Sequence, residues 1–279
     1  MAAMDAEFLQ KIKELIGLVL AAKPDFYRKK YASAGIDVTR LDTLNESNWN
    51  SFPILTKQEL AYAPYDSRCY GEKPGLNKLI FSNEADQYFL IHRTLEEIRQ
   101  EQLPYDGTRP MVIFENVYEA IERCLYFYEQ NVLPLIGEFH NPAVIYATAR
   151  QYEVDTIFMD RAAIRAFREK LLEILPALKS VTVIDDTFSQ EDLEWPEKIK
   201  LNFTLSIPEI GSIAHACPES IVQKDLIFHP ADDVYIEPSA LSIITTTRLK
   251  ACPMLRYRSH IYFEKISPRC LCPKASLKI

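Results

Sequence analysis

Glycine is scarce in this chain, with 7 residues in 279. Few positions are therefore open to positive φ or to close backbone approach to a phosphate. Neither a Gly-x-Gly-x-x-Gly fingerprint nor a Gly-x-Ser-x-Gly elbow occurs, which removes the simplest dinucleotide-binding and serine-hydrolase readings. The cysteines, Cys69, Cys124, Cys217, Cys252, Cys270 and Cys272, are too few and too scattered for a disulfide scaffold at this length, and they fit a reducing cytoplasm. No run approaches the roughly 18 to 20 apolar residues of a membrane span. The nearest thing to a leader, Leu15 to Ala22, continues the spacing of Phe8, Ile12, Leu15, Ile16 and Val19 and reads as an amphipathic helix. A basic face is missing too. Lys and Arg total 32 against 39 Asp and Glu, a formal charge of −7 with the signs interspersed, so neither a nucleic-acid partner nor an acidic disordered tail is implied.

What is present is an alternation of strand and helix patterns. Residues 5 to 33 predict one or two helices, closed by Gly35. Thr56 and Glu59 form a capping-box pattern. After a loop from Ala63 to Gly75 come a short strand at Leu79 to Ser82, the polar stretch Asn83 to Gln87 and an apolar run to Ile91. Thr94 then caps a helical pattern, LEEIRQEQL. Strands at 111–115, 154–159 and 180–185 alternate with helices at 117–131, 143–152 and 162–175, which predicts parallel β/α units. Beyond Trp195 the chain turns to short strands. The division drawn from this change is 1–195 for the α/β part and 196–279 for a β-rich lobe.

Two constellations carry chemistry. The strand Leu241 onward, LSIITTTRLKACPMLRYRS, is rich in β-branched residues and leaves as Arg256-Tyr257-Arg258. Two guanidiniums beyond a strand end suit a phosphate or carboxylate, or equally the protein's own carboxylates. Cys217 and the pair Cys270-x-Cys272, with His229 as a fourth ligand and His215 as a less favoured one, suit a structural zinc, against which stand free buried thiols. His92, His140 and His260 have no partner at motif spacing.

Three separated stretches resemble the phenylacetate–CoA ligase branch of the adenylate-forming enzymes. They are FYRKKYASAGID with FPILTKQEL, PEIGSIAHACPE at 208–219, and SIITTTRLKACPMLRYRS. Together they cover the chain from about residue 8 onward. The resemblance implies an N-terminal domain of β/α subdomains with a smaller β-rich lobe, and a reaction that activates a carboxylate with ATP before transfer to CoA. It also places the helix of Tyr118, Tyr126, Phe127 and Tyr128 beside the acyl pocket; core packing explains most of this cluster, and a small aromatic ligand there, with Tyr118 as a candidate contact, is the sharper alternative. Some ligases of this type retain the Cys-Pro-Glu and Cys-x-Cys elements near one another, which strengthens the zinc reading.

The nucleotide elements are eroded. The family's glycine-rich phosphate loop falls at Ser82-Asn83-Glu84-Ala85-Asp86-Gln87-Tyr88, which has no glycine, no lysine and two acids that repel a triphosphate. His260-Ile261 stands where the family has Gly-Asp, so the ribose carboxylate is missing. Glu209 of the central turn is kept. The chain stops at SPRCLCPKASLKI, with the small C-terminal domain and its lysine missing. The expectation is a degenerate ligase-like protein that does not bind ATP and Mg²⁺ in the family manner. It would serve as a binding or accessory protein toward a small aryl or acyl carboxylate or a partner enzyme, with a homodimer left open. The alternatives are an ATP-independent enzyme reusing the acyl pocket, with Glu209 as base and Arg256 and Arg258 as anion holders, and a ligase completed by a second chain.

Overall fold

The computed structural model of the chain describes residues 4–70, 73–237, 242–266, 270, 272 and 276–279. In chain order the elements are α1 (Ala6–Ala21), α2 (Phe26–Ser33), α3 (Glu46–Trp49), α4 (Lys57–Tyr62), α5 (Tyr65–Arg68), β1 (Gly75–Ser82), β2 (Gln87–Thr94) and α6 (Leu95–Arg99). There follow β3 (Pro110–Ile113), α7 (Val117–Glu129), β4 (Leu135–Gly137), α8 (Pro142–Gln151), β5 (Thr156–Met159), α9 (Arg161–Ile174) and β6 (Ser180–Asp185). The last are β7 (Lys200–Ile207), β8 (Gly211–Ala216), α10 (Pro218–Val222), β9 (Phe228–Pro230), β10 (Val234–Glu237), β11 (Ile243–Thr246), β12 (Tyr257–Arg258), β13 (Glu264–Ile266) and β14 (Ser276–Lys278). Among the described residues no helix is long and apolar enough to cross a membrane.

The chain forms two compact units, one of residues 1–97 with 232–265 and one of residues 98–231 with 266–278. The composition change at 195/196 falls inside the second unit, just ahead of β7. There the parallel pairing of β6 with β7, Ser180 with Lys200 through Asp185 with Leu205, carries the sheet across it.

In the first unit α1 buries Phe8, Ile12, Leu15, Ile16 and Val19, the stripe the sequence shows, and Asp5 caps it by accepting from Phe8 N at 2.6 Å. Helix α2 buries Tyr27 and Tyr31, and Gly35 closes it at φ +69°, a conformation that favours glycine. Thr56 and Glu59 form the expected capping box at α4. Strands β1 and β2 pair antiparallel from Gly75–Thr94 to Ser82–Gln87. Strand β11 lies between β10 and β12. It begins at Ile243; Leu241 and most of the closing stretch lie outside the described residues. Thr94 caps α6 reciprocally with Glu97, but the helix ends at Arg99 rather than running through LEEIRQEQL.

In the second unit the sheet runs β14-β9-β8-β7-β6-β5-β3-β4. Strands β4, β3, β5, β6 and β7 are parallel, and β8, β9 and β14 add on antiparallel. All four residues of β3 and of β5 are buried, as expected for parallel strands covered on both faces. Helices α7, α8 and α9 make the crossovers, each with an amphipathic pattern matching its buried face.

Candidate metal centre and ligand cleft

Cys217 sits at the N-cap of α10, fully buried, with its backbone N–H donating to Ile227 O at 2.7 Å and its carbonyl accepting from Ser220 and Ile221. Pro218 at the first helical position ends β8 and begins the helix, so the thiol is fixed where the chain turns. His229 projects from the neighbouring strand β9, 8% exposed. Cys270 and Cys272 bring the second half of the set. The ligand atoms of Cys217, His229, Cys270 and Cys272 all lie within 4.8 Å of one another. Two edges of this group decide its chemistry: Cys217 Sγ to Cys272 Sγ is 3.7 Å and Cys270 Sγ to His229 Nε2 is 3.5 Å. A tetrahedral zinc with its usual bond lengths has S···S edges of about 3.8 Å and S···N edges of about 3.6 Å. The donor set thus has the size and composition of a closed Cys₃His site. The thiols also perturb one another. Hydrogen bonds with Cys270 and Cys217 push Cys272 up to about 12. Cys270, against a burial effect that raises it, is held below its usual value by hydrogen bonds involving Cys272, Cys217 and Ser276. His215 stands outside the group and hydrogen-bonds through Nδ1 with Thr204 Oγ1 at 3.1 Å.

A second feature of the same unit is a cleft of about 180 Å³ at the carboxyl ends of β3, β5, β6 and β7. Ligands of open parallel sheets bind at such strand ends. Its walls include Phe114, Asn116, Ile184, Ser206 and Pro208 together with four acids, Glu119, Asp160, Asp185 and Asp186. Burial raises Asp185 to about 6, against hydrogen bonds from the backbone N–H groups of Arg161 and Asp186, while the Asp186 carboxylate adds to the rise. Burial likewise raises Asp160, partly offset by N–H groups of Ala163 and Glu115. Glu119 is paired with Arg123 Nη2 at 3.5 Å, and Arg123 is itself buried against Glu101 and Glu122. The cleft is therefore strongly acidic, a poor host for a free carboxylate.

Tyr118 is the second residue of α7, half-buried, with its N–H donating to Asn116 at 2.9 Å, so it stands between two residues of the cleft wall, Asn116 and Glu119. The other aromatics of the helix part company with it. Phe127 packs edge-on to Tyr105 and Phe158 in the core, and Tyr128 is 61% exposed. Glu209 occupies the β7–β8 turn, 1% exposed, next to Pro208 of the cleft wall and ahead of Gly211 at φ +84°.

Arg256 and Arg258 lie in the first unit. Arg256, 5% exposed, grips Glu237 through Nε and Nη2 and donates through Nη1 to the carbonyls of Asn50 and Phe52. Arg258 reaches Glu84 Oε1 at 3.6 Å. Glu84 belongs to the β1–β2 turn, which Ser82 and Gln87 close as a register pair. The turn is tight, with Asp86 at φ +50° and Ala85 N–H donating to Ser82 Oγ at 3.3 Å.

No protein-family model matches the sequence, and no curated protein does. Solved structures do match. The 2-hydroxyisobutyryl-CoA ligase, in a postadenylation state with 2-HIB-AMP, superposes with a TM-score of 0.71 at 12% identity, covering 99% of this chain and 67% of that one. The fold is that of the adenylate-forming acyl-CoA ligases. The o-succinylbenzoate CoA synthetase MenE of Bacillus subtilis follows at a TM-score of 0.51 and 8% identity, and the amide bond synthetase McbA of Marinactinospora thermotolerans at 0.51 and 10%. Each covers 62% of this chain, which spans 40% of their lengths. Sequence reasoning named the four residues that the structure gathers into the Cys/His group, and the two arginines, but missed the acids of the cleft. A signal existed, because a carboxylate stands just past the end of β5, Asp160, and another at the end of β6, Asp185, where ligands enter a parallel sheet.

Proposed function

We propose that this chain is a degenerate relative of the phenylacetate–CoA ligase type that binds an acyl or aryl group, alone or on behalf of a partner enzyme, without adenylating it. The observation that carries the reading is the pairing of Arg258 with Glu84. At the position the resemblance gives to the phosphate loop there is a tight acidic turn, and its own glutamate takes the nearby guanidinium that an anion would use. Arg256 is spent on Glu237 and two backbone carbonyls. Four acids around the cleft favour a neutral acyl form, such as a thioester or amide, over a free carboxylate. Titration calorimetry with ATP and Mg²⁺ at millimolar concentration tests the first half, and saturable binding overturns it. Binding of an aryl thioester and not of the corresponding carboxylate tests the second.

The four-ligand group has no open position, so zinc there would be structural, tying β9 and α10 to the Cys270–Cys272 segment rather than entering a reaction. A second reading, an ATP-independent acyl-transfer enzyme, draws on Asp185. A carboxyl raised to about 6 in a cleft is placed for general acid–base work near neutrality. Turnover of a thioester that survives Asp185→Asn at an unchanged rate removes Asp185 from that reading.

A further inference from the structure

We infer that Cys69 and Cys252 form a peroxide-sensitive dithiol in the first unit, with Cys69 oxidised first and Cys252 closing on it as a disulfide. Neither residue belongs to the metal centre or to the cleft.

The backbone sets the pair side by side. Tyr70 N–H donates to Ala251 O at 2.6 Å, joining the residues next to each cysteine, and Cys69 is the largest influence raising the Cys252 thiol. Cys69 closes α5 and is half-buried, so it meets solvent; Cys252, 5% exposed, does not. Cys252 Sγ also accepts the His92 N–H at 3.3 Å, which orients it toward its neighbour. Two groups flank the pair. Cys69 Sγ donates to Tyr65 Oη at 3.3 Å. Arg68, 4% exposed, stacks its guanidinium on Tyr65 and Phe89 at 5.8 and 5.5 Å from the ring centres. Its Nε donates to Ala63 O at 3.3 Å, its Nη1 has no partner, and among the described residues no carboxylate reaches it. This buried positive charge acts on both thiols, Cys252 and Cys69, and favours an anionic sulfur in the pair. The hydrogen bond with Cys69, ahead of burial, holds the Cys252 thiol well above its usual value, which keeps Cys252 protonated until it is needed.

The chemistry balances with hydrogen peroxide as the two-electron oxidant. The Cys69 thiolate attacks one peroxide oxygen, the O–O bond breaks, and a proton from solvent releases the other oxygen as water, leaving a sulfenic acid. Cys252 sulfur then attacks Cys69 sulfur, forming the S–S bond and expelling the hydroxyl with the Cys252 proton as a second water. A dithiol reductant reverses the outcome.

The test uses the full chain, exposed to a few equivalents of hydrogen peroxide, alkylated and digested without reductant. The expected result is a cross-linked peptide pair holding Cys69 and Cys252, lost on adding dithiothreitol. In Cys252→Ser a sulfenic-acid probe labels Cys69; in Cys69→Ser the same dose leaves Cys252 unoxidised. Arg68→Met slows the loss of the Cys69 thiol about tenfold, the effect of a tenfold smaller thiolate fraction, and Arg68→Lys restores it. Wild-type protein in which both thiols alkylate normally after peroxide overturns the proposal, whatever the variants do. Equal oxidation rates in wild type and Arg68→Met overturn it as well.

Discussion

Arg256 holds Glu237 in two parallel bonds, Nε to Oε1 at 3.0 Å and Nη2 to Oε2 at 2.7 Å, with both side chains nearly excluded from water. The pair links β10 to the segment after β11, and Nη1 fixes the carbonyls of Asn50 and Phe52 from the opposite side. Removing one partner leaves a buried charge without compensation. Arg256→Met is expected to cost about 3 kcal/mol in urea unfolding, and Glu237→Gln less, because an amide still accepts one bond. A loss below about 1 kcal/mol would show that the pair is not a structural tie.

The contrast with Arg258 shows which parts of this molecule are legible in sequence. The fold is: buried β3, β5 and β6 read directly as apolar runs, and α1, α7 and α9 as apolar stripes. Local chemistry is legible too, as with Thr56 and Glu59 or Gly35. Pairings over long separations are not. RYR gives no sign that its first arginine is locked onto Glu237 while its last lies at the surface 3.6 Å from Glu84, since a side chain's partner depends on which strands become neighbours. For the same reason α6 ends early: Glu101, two residues beyond it, is drawn into the buried ion pair with Arg123. The Cys₃His group escaped this limit only because the resemblance pointed to it, through ligases that keep Cys-Pro-Glu and Cys-x-Cys elements near one another; its spacing alone is weak.

For the metal centre the expected stoichiometry is one zinc per chain by mass spectrometry under native conditions. Chelation, or Cys217→Ser, lowers the melting temperature, because the binding energy of a structural site is folding energy. Affinity falls as pH drops, since each cysteine must shed a proton to bind. The sharpest check is the colour of a cobalt-substituted sample: a Cys₃His tetrahedron gives intense thiolate-to-metal absorption that Cys272→Ser weakens. A chain purified without metal, and unchanged in stability by added zinc, would leave these residues as buried thiols.

Asp185 gives a pH dependence with a definite sign. Its folded-state value, about 6, lies above the ordinary carboxylate value of 3.8, so the native state binds the proton more tightly than the unfolded chain. Between roughly pH 4 and 6 the native state therefore keeps a proton that the unfolded chain loses, and stability falls as pH rises through that window. A two-unit shift corresponds to at most about 3 kcal/mol, and partial solvent contact of the cleft reduces it to about 1 to 2 kcal/mol. Asp186 donates its N–H to Asp185 at 2.8 Å and shares the titration, so the apparent midpoint belongs to the pair. The measurement is urea unfolding at a series of pH values, in wild type and in Asp185→Asn. The difference between the two proteins should change across pH 4 to 6 and stay level on either side. A difference that is flat throughout would mean that Asp185 is ionised in the fold as readily as in water, and the acid–base reading of the cleft would lose its support.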